Sequence, residues 1–532
     1  MIAAAPGFSE AESMAIAPYF TNLDQPVFAL VNLPETVKGA LFARYSRSAK
    51  PLRRLFLDEF ATDLPPAPAS SAVGLARAER LYQRVFNEFG DDSVAQLGGV
   101  HLAVEDASNI LTKVLERGRL MAYLEQSTRY IPYTEQRGGT WRFLVPAELD
   151  GSPLRAEFID TLNAAFATYA RWIDPMRAWF ERRYPKTPAD SDAVYRSAIR
   201  AKALDTLRGL LPAATQSNVG IYGTGQAYET LLLRMRAHPL VEVRDTADLM
   251  LRELRLVIPA FLTRVDQPDR GGRWTAYLAE TRDRTAEISR GVTERSAAAA
   301  GAAEVTLTDF DPAGEVKVVA AALYASSALS DEQLLDAARR MTADERASVL
   351  GAYVGDRSNR RHRPGRAFER TSYRFDVLAD YGAFRDLQRH RLLTIAWQAL
   401  TPAHGYVQPE AAIEAGLDAE WREAMTRSAA LHDALIAAGF GAVAQYAVSM
   451  AHRVRFVMDM NAREAMHVIE LRTAPAGHPA YRRVCQQMHR LISETAGHAA
   501  IAAAMQFADH SAVELERLQE ERRLEARRQP RP

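Results

Sequence analysis

Apolar positions recur with helical spacing along most of the chain, and only a few short stretches alternate as strands do. Near the start, VFALVNLPETVKGALFARYSRS (residues 27–48) reads as a short β-rich run, a proline turn and an apolar-periodic helix. VTLTDFDPAGEVKVVAAALYASS (residues 305–327) repeats that order in mid-chain. SYRFDVLAD (residues 372–380) is a further β-rich run. In NAREAMHVIELR (residues 461–472), Asn461, Ala465, Val468 and Arg472 follow i, i+4, i+7, i+11 and predict one helix stripe. Its ends lie about 16 Å apart at 1.5 Å per residue. These patterns predict an α+β fold, rich in helix, with a small sheet in each of two tandem domains.

The two similar segments belong to an internal repeat. Val37-Lys38 precedes Tyr45 by the interval that separates Val316-Lys317 from Tyr324, an offset of 279. Gly90-Asp91-Asp92-Ser93 pairs with Gly355-Asp356-Arg357-Ser358, offset 265. Arg117-Gly118-Arg119 pairs with Arg389-His390-Arg391, offset 272, and LLLRMRAHP around Arg234 pairs with IELRTAPAGHP around Arg472, offset 238. Colinear matches with drifting offsets are the mark of duplication followed by insertion and deletion. The expected organisation is an arm (1–24), a first copy (25–285), a linker (286–304) rich in alanine, a second copy (305–510) and a charged tail (511–532). The tail, with five Glu and six Arg in its last 20 residues, reads as a solvated helix.

Composition narrows the class. Lys+Arg and Asp+Glu both number 66, so there is no basic excess for nucleic acid and any anion site must be a local cluster. A single cysteine, Cys485, excludes an internal disulfide and multi-cysteine metal sites, and fits a reducing compartment. The first 20 residues lack a basic region ahead of their apolar ones, which argues against a signal peptide. The longest uncharged run, residues 434–451, contains Gln445, Tyr446 and Ser449 and reads as a packed helix rather than a membrane span. A cytoplasmic protein with no membrane partner is expected.

Three segments carry candidate chemistry. In residues 117–133, Pro132 predicts that a helix gives way to a loop, and in an extended loop Ser127 and Arg129 face one side. A hydroxyl, a guanidinium and backbone N–H groups suit a phosphate; the plainer reading is a polar surface loop. In FRDLQRHRLL (residues 384–393), three adjacent side chains cannot share a helix face. Either one points inward or all converge on a ligand from a helix end; a solvated basic face is the plain alternative. In residues 461–472, Arg463 and His467 fall off the stripe of Asn461 and Arg472 unless the helix begins loosely near Asn461. GIYGTGQAYE (residues 220–229) lacks the third glycine of a dinucleotide fingerprint and reads as a helix start. The arginines of residues 357–370 form either an anion funnel or a solvated loop.

Residues 117–130 and 389–402 each resemble half of RHRxxSxNExSxRY, the motif of flavin-dependent thymidylate synthases. The first keeps Glu125, Gln126, Ser127, Arg129 and Tyr130; the second keeps Arg389, His390 and Arg391. NAREAMHVIELR resembles that family's NARxxxHFxxLR helix, and LRGLLP (residues 207–212) its ARxxLP segment. The resemblance covers about residues 25–280 and 305–510. It implies a tandem fusion of two such domains, each degenerate. Gly118 replaces the motif histidine in copy one, and Gly223 and Gly225 align with Asn461 and Arg463. In copy two, Trp397, Ala399 and Thr401 replace the glutamate, serine and arginine, and Gln445 aligns with Arg208. Asp91 and Asp356 replace the histidine of a GHxS segment.

The losses are complementary, so one composite site stays complete. The resemblance implies that Arg389, His390, Arg391, Asn461, Arg463 and His467 hold FAD. It implies that Glu125, Gln126, Ser127, Thr128, Arg129 and Arg208 hold the nucleotide, and that Arg472 is catalytic, polarising the pyrimidine. No metal is implied. The implied reaction methylates deoxyuridylate at C5, with methylenetetrahydrofolate and NADPH as cosubstrates. The alternatives are a flavin- or nucleotide-binding protein without turnover and a flavoenzyme acting on another pyrimidine. Family members form tetramers with sites between subunits, so a homodimer of fused chains is expected; the residues do not choose between a site within one chain and one between chains.

Overall fold

The computed structural model describes residues 8–24, 30–45, 50–61, 96, 98–129, 131–188, 190–294 and 303–528. Its contacts divide the chain into two interleaved units. The first comprises Met1–Glu105, Gly118–Glu125 and Asn218–Ala297; the second comprises Asp106–Arg117, Gln126–Ser217 and Ala298–Pro532. The fold is α+β, dominated by helices, with small antiparallel sheets.

In the first unit, strand Met121–Glu125 pairs with Gln216–Thr224 from Met121↔Gly223 to Glu125↔Val219. Gln216–Thr224 is the middle strand of a three-stranded sheet whose other edge is Gly99–Ser108. The helix predicted from residues 117–133 is therefore replaced by a strand. Its alternating burial, with Met121 and Glu125 inward and Ala122 and Leu124 exposed, has a period of two. The middle strand runs directly into helix Gly225–Arg236, whose N-cap Thr224 accepts from the Ala227 N–H at 3.3 Å.

In the second unit, the strands Val305–Phe310, Ser372–Asp380, Arg453–Asn461 and Thr394–Trp397 form one sheet in that spatial order. The inner pair is in register from Ser372↔Asn461 to Asp380↔Arg453. Tyr373, Phe375, Val377, Val454, Phe456 and Met458 point into the core. Helices Ala462–Arg472 and Pro479–Glu494 follow the sheet, and the latter buries Val484, Cys485, Met488 and Ile492 on one stripe.

The last three strands of this sheet repeat the order of the three-stranded sheet: counterpart strands are first, middle and last. Within the second unit, Ala213 N–H donates to Val448 O and Met450 N–H to Leu211 O, both at 2.9 Å. The pairs are related by one offset, since 450 − 213 and 448 − 211 both equal 237. Ala214 to Tyr446 and Ala451 to Gly209 are mates by the same shift. The duplicated segments thus meet about a local two-fold relation. The same offset corrects the alignment of the late helix. Thr224 and Asn461 are both N-caps, so Asn461 matches Thr224 rather than Gly223, Arg463 matches Gln226, and Arg472 matches Met235, one residue past Arg234.

Two further expectations are corrected. Residues 434–451 are not one helix: helix Asp418–Ala437 ends, Gly439 turns the chain at φ 86°, and a short 3-10 turn, Val443–Ala447, follows. The tail helix Leu518–Arg528 is docked rather than solvated throughout. Arg522 forks onto buried Asp190 at 2.6 and 3.0 Å, and Lys202 pairs with buried Glu516.

The arginine-rich loop is pinned by Arg357. Its guanidinium is 1% exposed, forks onto Glu470 with both contacts at 2.6 Å, and also donates to Ala504 O. Arg357→Ala would strand the Glu470 carboxylate in the interior and is expected to destabilise the protein by about 3–5 kcal/mol. Urea unfolding measures this, and a loss under about 1 kcal/mol would mean that the pair is solvent-accessible.

Candidate functional site

Helix Asp192–Leu207 delivers two side chains to the interior of the second unit: Asp205 in its last turn and Arg208 at its C-cap. Arg129 donates to Asp205 from Nε and Nη2 at 2.6–2.9 Å, a two-pronged ion pair. Ser127 and Arg129 do not lie in an extended loop. The Arg129 N–H donates to Ser127 Oγ at 3.2 Å and the Ile131 N–H to Ser127 O at 3.3 Å, which makes a turn. Thr128 is buried beside them. Gln126 accepts from Ser217 Oγ at its carbonyl and from Arg142 Nη2 at its amide oxygen. Glu125, also buried, ends its strand in the first unit, and Tyr130 and Asp91 lie outside the described residues.

Arg208 is 4% exposed. Its Nη1 stands 3.6 Å from Asp386 Oδ2, and its buried Nη2 has no hydrogen-bond partner. A Cβ at Gly382 would come within 3.1 Å of that Nη2, so the glycine leaves the guanidinium its room. Helix Tyr381–Leu387 begins at Asp380, whose carboxylate accepts from the Ala383 N–H, and carries Asp386 in its last turn. Burial alone would raise the Asp386 carboxyl. Arg389, Arg208, Arg472 and Arg129 together hold it well below the usual carboxylate range.

Arg389, His390 and Arg391 follow this helix, and only His390 turns inward; the two arginines are exposed. His390 Nε2 accepts from Arg472 Nε at 2.9 Å, so its proton resides on Nδ1, which faces Glu464 Oε1 at 3.7 Å. Burial, with Arg472 and His467 nearby, pushes His390 well below the usual imidazole range. His467 packs edge-on against it at 5.4 Å, is pushed down to about 4 by burial and nearby arginines, and meets Arg363 Nη2 through Nδ1. Burial pushes the Glu464 carboxyl up to about 7. Arg472 ends its helix, lies over the Tyr481 ring at 5.4 Å, and keeps Nη1 3.9 Å from Asp386. Asn461 is an N-cap outside the helix, accepting from the Glu464 N–H, which resolves its mismatch with His467. Arg463 donates to Pro364 O and stands 3.4 Å from Glu369.

His390, Glu464 and His467 also form a group with metal-ligand spacing. The chemistry opposes a cation: His390 Nδ1 carries a proton, and Arg363, Arg463 and Arg472 surround the group. The arginine-rich loop divides. Arg357, Arg366 and Arg370 pair with Glu470, Glu369 and Asp331, while Arg363 reaches His467.

The second unit thus gathers Ser127, Arg129 and Arg208 of copy one with Arg389, His390 and Arg472 of copy two, within one chain. Sequence reasoning missed Asp205, Asp386, Glu464, Tyr481 and His478. Burial and the charges of Arg208 and Arg129 hold His478 well below its usual range. The His-Pro pair shared by both copies was the available signal for it.

Among the described residues, no helix is long and apolar enough to cross a membrane. The family described as thymidylate synthase complementing protein matches residues 42–260 and again residues 306–497. A UPF0159 protein of Chlamydia muridarum is 37% identical over 98% of this chain and 99% of its own length. A UPF0159 protein of Thermoplasma acidophilum is 30% identical over 91% and 97%. A flavin-dependent thymidylate synthase of Mycobacterium marinum is 30% identical over 34% of this chain and 66% of its own. A solved structure of the UMP/dUMP methylase PolB from Streptomyces cacaoi, bound with 5-Br dUMP, overlaps 38% of this chain with a TM-score of 0.31 and 20% identity. The chain carries the family twice, and it belongs to the Thy1 family, the thymidylate synthase complementing proteins.

Proposed function

We propose that the protein is a flavin-dependent thymidylate synthase with one composite site per chain, which methylates deoxyuridylate at C5. The observation that carries this reading is that Arg208 of copy one and Arg472 of copy two both face the Asp386 carboxylate, at 3.6 and 3.9 Å, while Arg129 of copy one and Arg472 share Tyr481 as a neighbour. The unsatisfied Arg208 Nη2 adds a donor that an anionic ligand would satisfy. Neutral His390 and His467 beside Arg363 and Arg463 offer a cation-rimmed surface suited to an anionic flavin nucleotide.

In this reading Arg389, His390, Arg391, Asn461, Arg463 and His467 hold FAD. Bound FAD would supply the redox chemistry, with NADPH as reductant and methylenetetrahydrofolate as one-carbon donor. Ser127 and Arg129 hold the nucleotide phosphate, with Asp205 fixing the Arg129 guanidinium and Arg208 offering its unpartnered Nη2. Gln126 and Thr128 complete the nucleotide side. Arg472, oriented by His390, presents its positive charge to the pyrimidine and stabilises negative charge that develops on the ring. Two fused chains supply four family domains, and a cytoplasmic homodimer is the proposed assembly.

Rescue of a thymidine-requiring strain tests the activity; failure of a well-expressed, flavin-loaded chain to rescue would refute thymidylate synthesis. FAD is expected at about one per chain, because RHR is lost in copy one and the ExSxR half in copy two. Flavin absorbance against protein mass measures this, and two tightly held flavins would contradict a single site.

A further inference from the structure

His390 can orient Arg472 only while its proton stays on Nδ1. Arg472 Nε donates to His390 Nε2 at 2.9 Å, so an Nε2–H tautomer would set two donors face to face and push the guanidinium away. Which ring nitrogen carries the proton depends on what the other nitrogen meets. Here Glu464 Oε1 stands 3.7 Å from His390 Nδ1, and both side chains are buried. The contact is longer than a hydrogen bond and acts as a charge upon the N–H dipole, in surroundings where water screens it little. The two copies differ at all three positions together. The N-caps Thr224 and Asn461 place Ala227 opposite Glu464, since the N–H of each donates to its own N-cap side chain. The same match sets Met235 opposite Arg472, and Gly118 stands opposite His390. Copy one thus lacks the carboxyl, the imidazole and the guanidinium as a set.

We propose that Glu464 is a positioning residue that locks the His390 tautomer and thereby holds Arg472 in the orientation the reaction uses. The proposal rests on the reading of Arg472 as the group that faces the pyrimidine. Burial raises the Glu464 carboxyl to about 7 against the opposing pull of Arg363 and Arg463. It is therefore ionised above neutrality, where it attracts the Nδ1–H, and protonated below. A protonated carboxyl has an O–H to donate, which suits a bare Nδ1 and weakens the lock. The groups around it do not titrate in this range. His390 is held well below its usual range and His467 at about 4, Asp386 is held ionised, and Arg363, Arg463 and Arg472 keep their charge. Between about pH 6 and about pH 9, Glu464 is the member of this cluster that changes charge.

NMR of the full-length protein labelled with ¹⁵N-histidine tests the lock, because protonated and bare ring nitrogens differ in shift. The signal lost in His390→Asn assigns His390 among the 12 histidines. Wild type at about pH 9 is expected to hold His390 as the Nδ1–H tautomer. Glu464→Ala is expected to shift the tautomer ratio towards Nε2–H by about tenfold, as loss of the acceptor facing a buried N–H allows. Taking wild type to about pH 6 should move the ratio the same way, and the variant should lose this pH dependence. An Nε2–H majority in wild type at about pH 9, or an unchanged ratio in Glu464→Ala, overturns the proposal. Should the variant fail to fold, the wild-type profile decides: a ratio flat from about pH 6 to about pH 9 overturns it. Flavin oxidation at saturating deoxyuridylate is expected to slow about tenfold in Glu464→Ala with Kd for deoxyuridylate within about threefold, because the Arg472 charge remains but its orientation is lost. A rate within about threefold of wild type beside a shifted tautomer, or a loss carried by Kd alone, overturns the positioning role. If wild type oxidises no flavin in response to deoxyuridylate while the tautomer behaves as stated, the thymidylate reading fails and the lock stands.

Discussion

Arg472→Ala is expected to lower deoxyuridylate-dependent flavin oxidation by about 10³-fold, the upper range for removing one preorganised charge from a water-poor site. Arg234→Ala is expected to stay within about threefold. The two arginines look equivalent when the copies are aligned on their charges. The N-caps Thr224 and Asn461 show that they are not: Arg472 matches Met235, and Arg234 sits one residue earlier, about 100° around its helix. Arg472 also donates to His390 Nε2, and its charge adds to the burial that keeps that imidazole neutral. The variant should therefore raise the His390 pKa, which NMR titration can follow without turnover. Equal losses of activity in the two variants would contradict the asymmetric site.

How much of this was legible in the sequence depends on the kind of signal. Arg129, Arg208 and Arg472 stand in motifs whose spacing survives, and the structure brings all three into the second unit. Their partners could not be read. Asp205 and Asp386 are ordinary acids in the last turns of helices, and only the tertiary fold reveals that guanidiniums from 76 residues upstream and from 86 downstream reach them. Glu464 looks like a helix-favouring first-turn acid, and its burial against His390 is a matter of packing. The strand Met121–Glu125 was obscured because five residues show too little alternation to compete with a longer helical pattern. The tail reads as solvated from the sequence because its ion-pair partners, Asp190 and Lys202, lie more than 300 residues away. The interleaving of the two units follows from the same cause: pairing of the copies is a long-range contact that periodicity does not encode.

That pairing leads to the second large effect. Arg129→Ala and Arg472→Ala are each expected to lower turnover by about 10³-fold, and mixing the two variants is expected to restore none of it. The residues stand in one compact unit of one chain, linked by shared neighbours: Tyr481 accepts from Arg129 at 3.4 Å and lies under Arg472, and Asp386 feels both guanidiniums. A chain lacking Arg129 keeps a defective nucleotide half beside its own Arg472, and a chain lacking Arg472 keeps the converse. Assembly of such chains into a homodimer brings no intact half to either site, because each half is already engaged within its own chain. The four mated backbone hydrogen bonds between residues 209–214 and 446–451 reinforce this, since exchange between chains would have to break and remake all of them. The variants should be mixed both after separate purification and by refolding together from denaturant, so that slow exchange does not mimic a negative result. Activity recovered to about one quarter of wild type on co-refolding, the value for random pairing in which one of two exchanged sites is whole, would place the two halves in different chains.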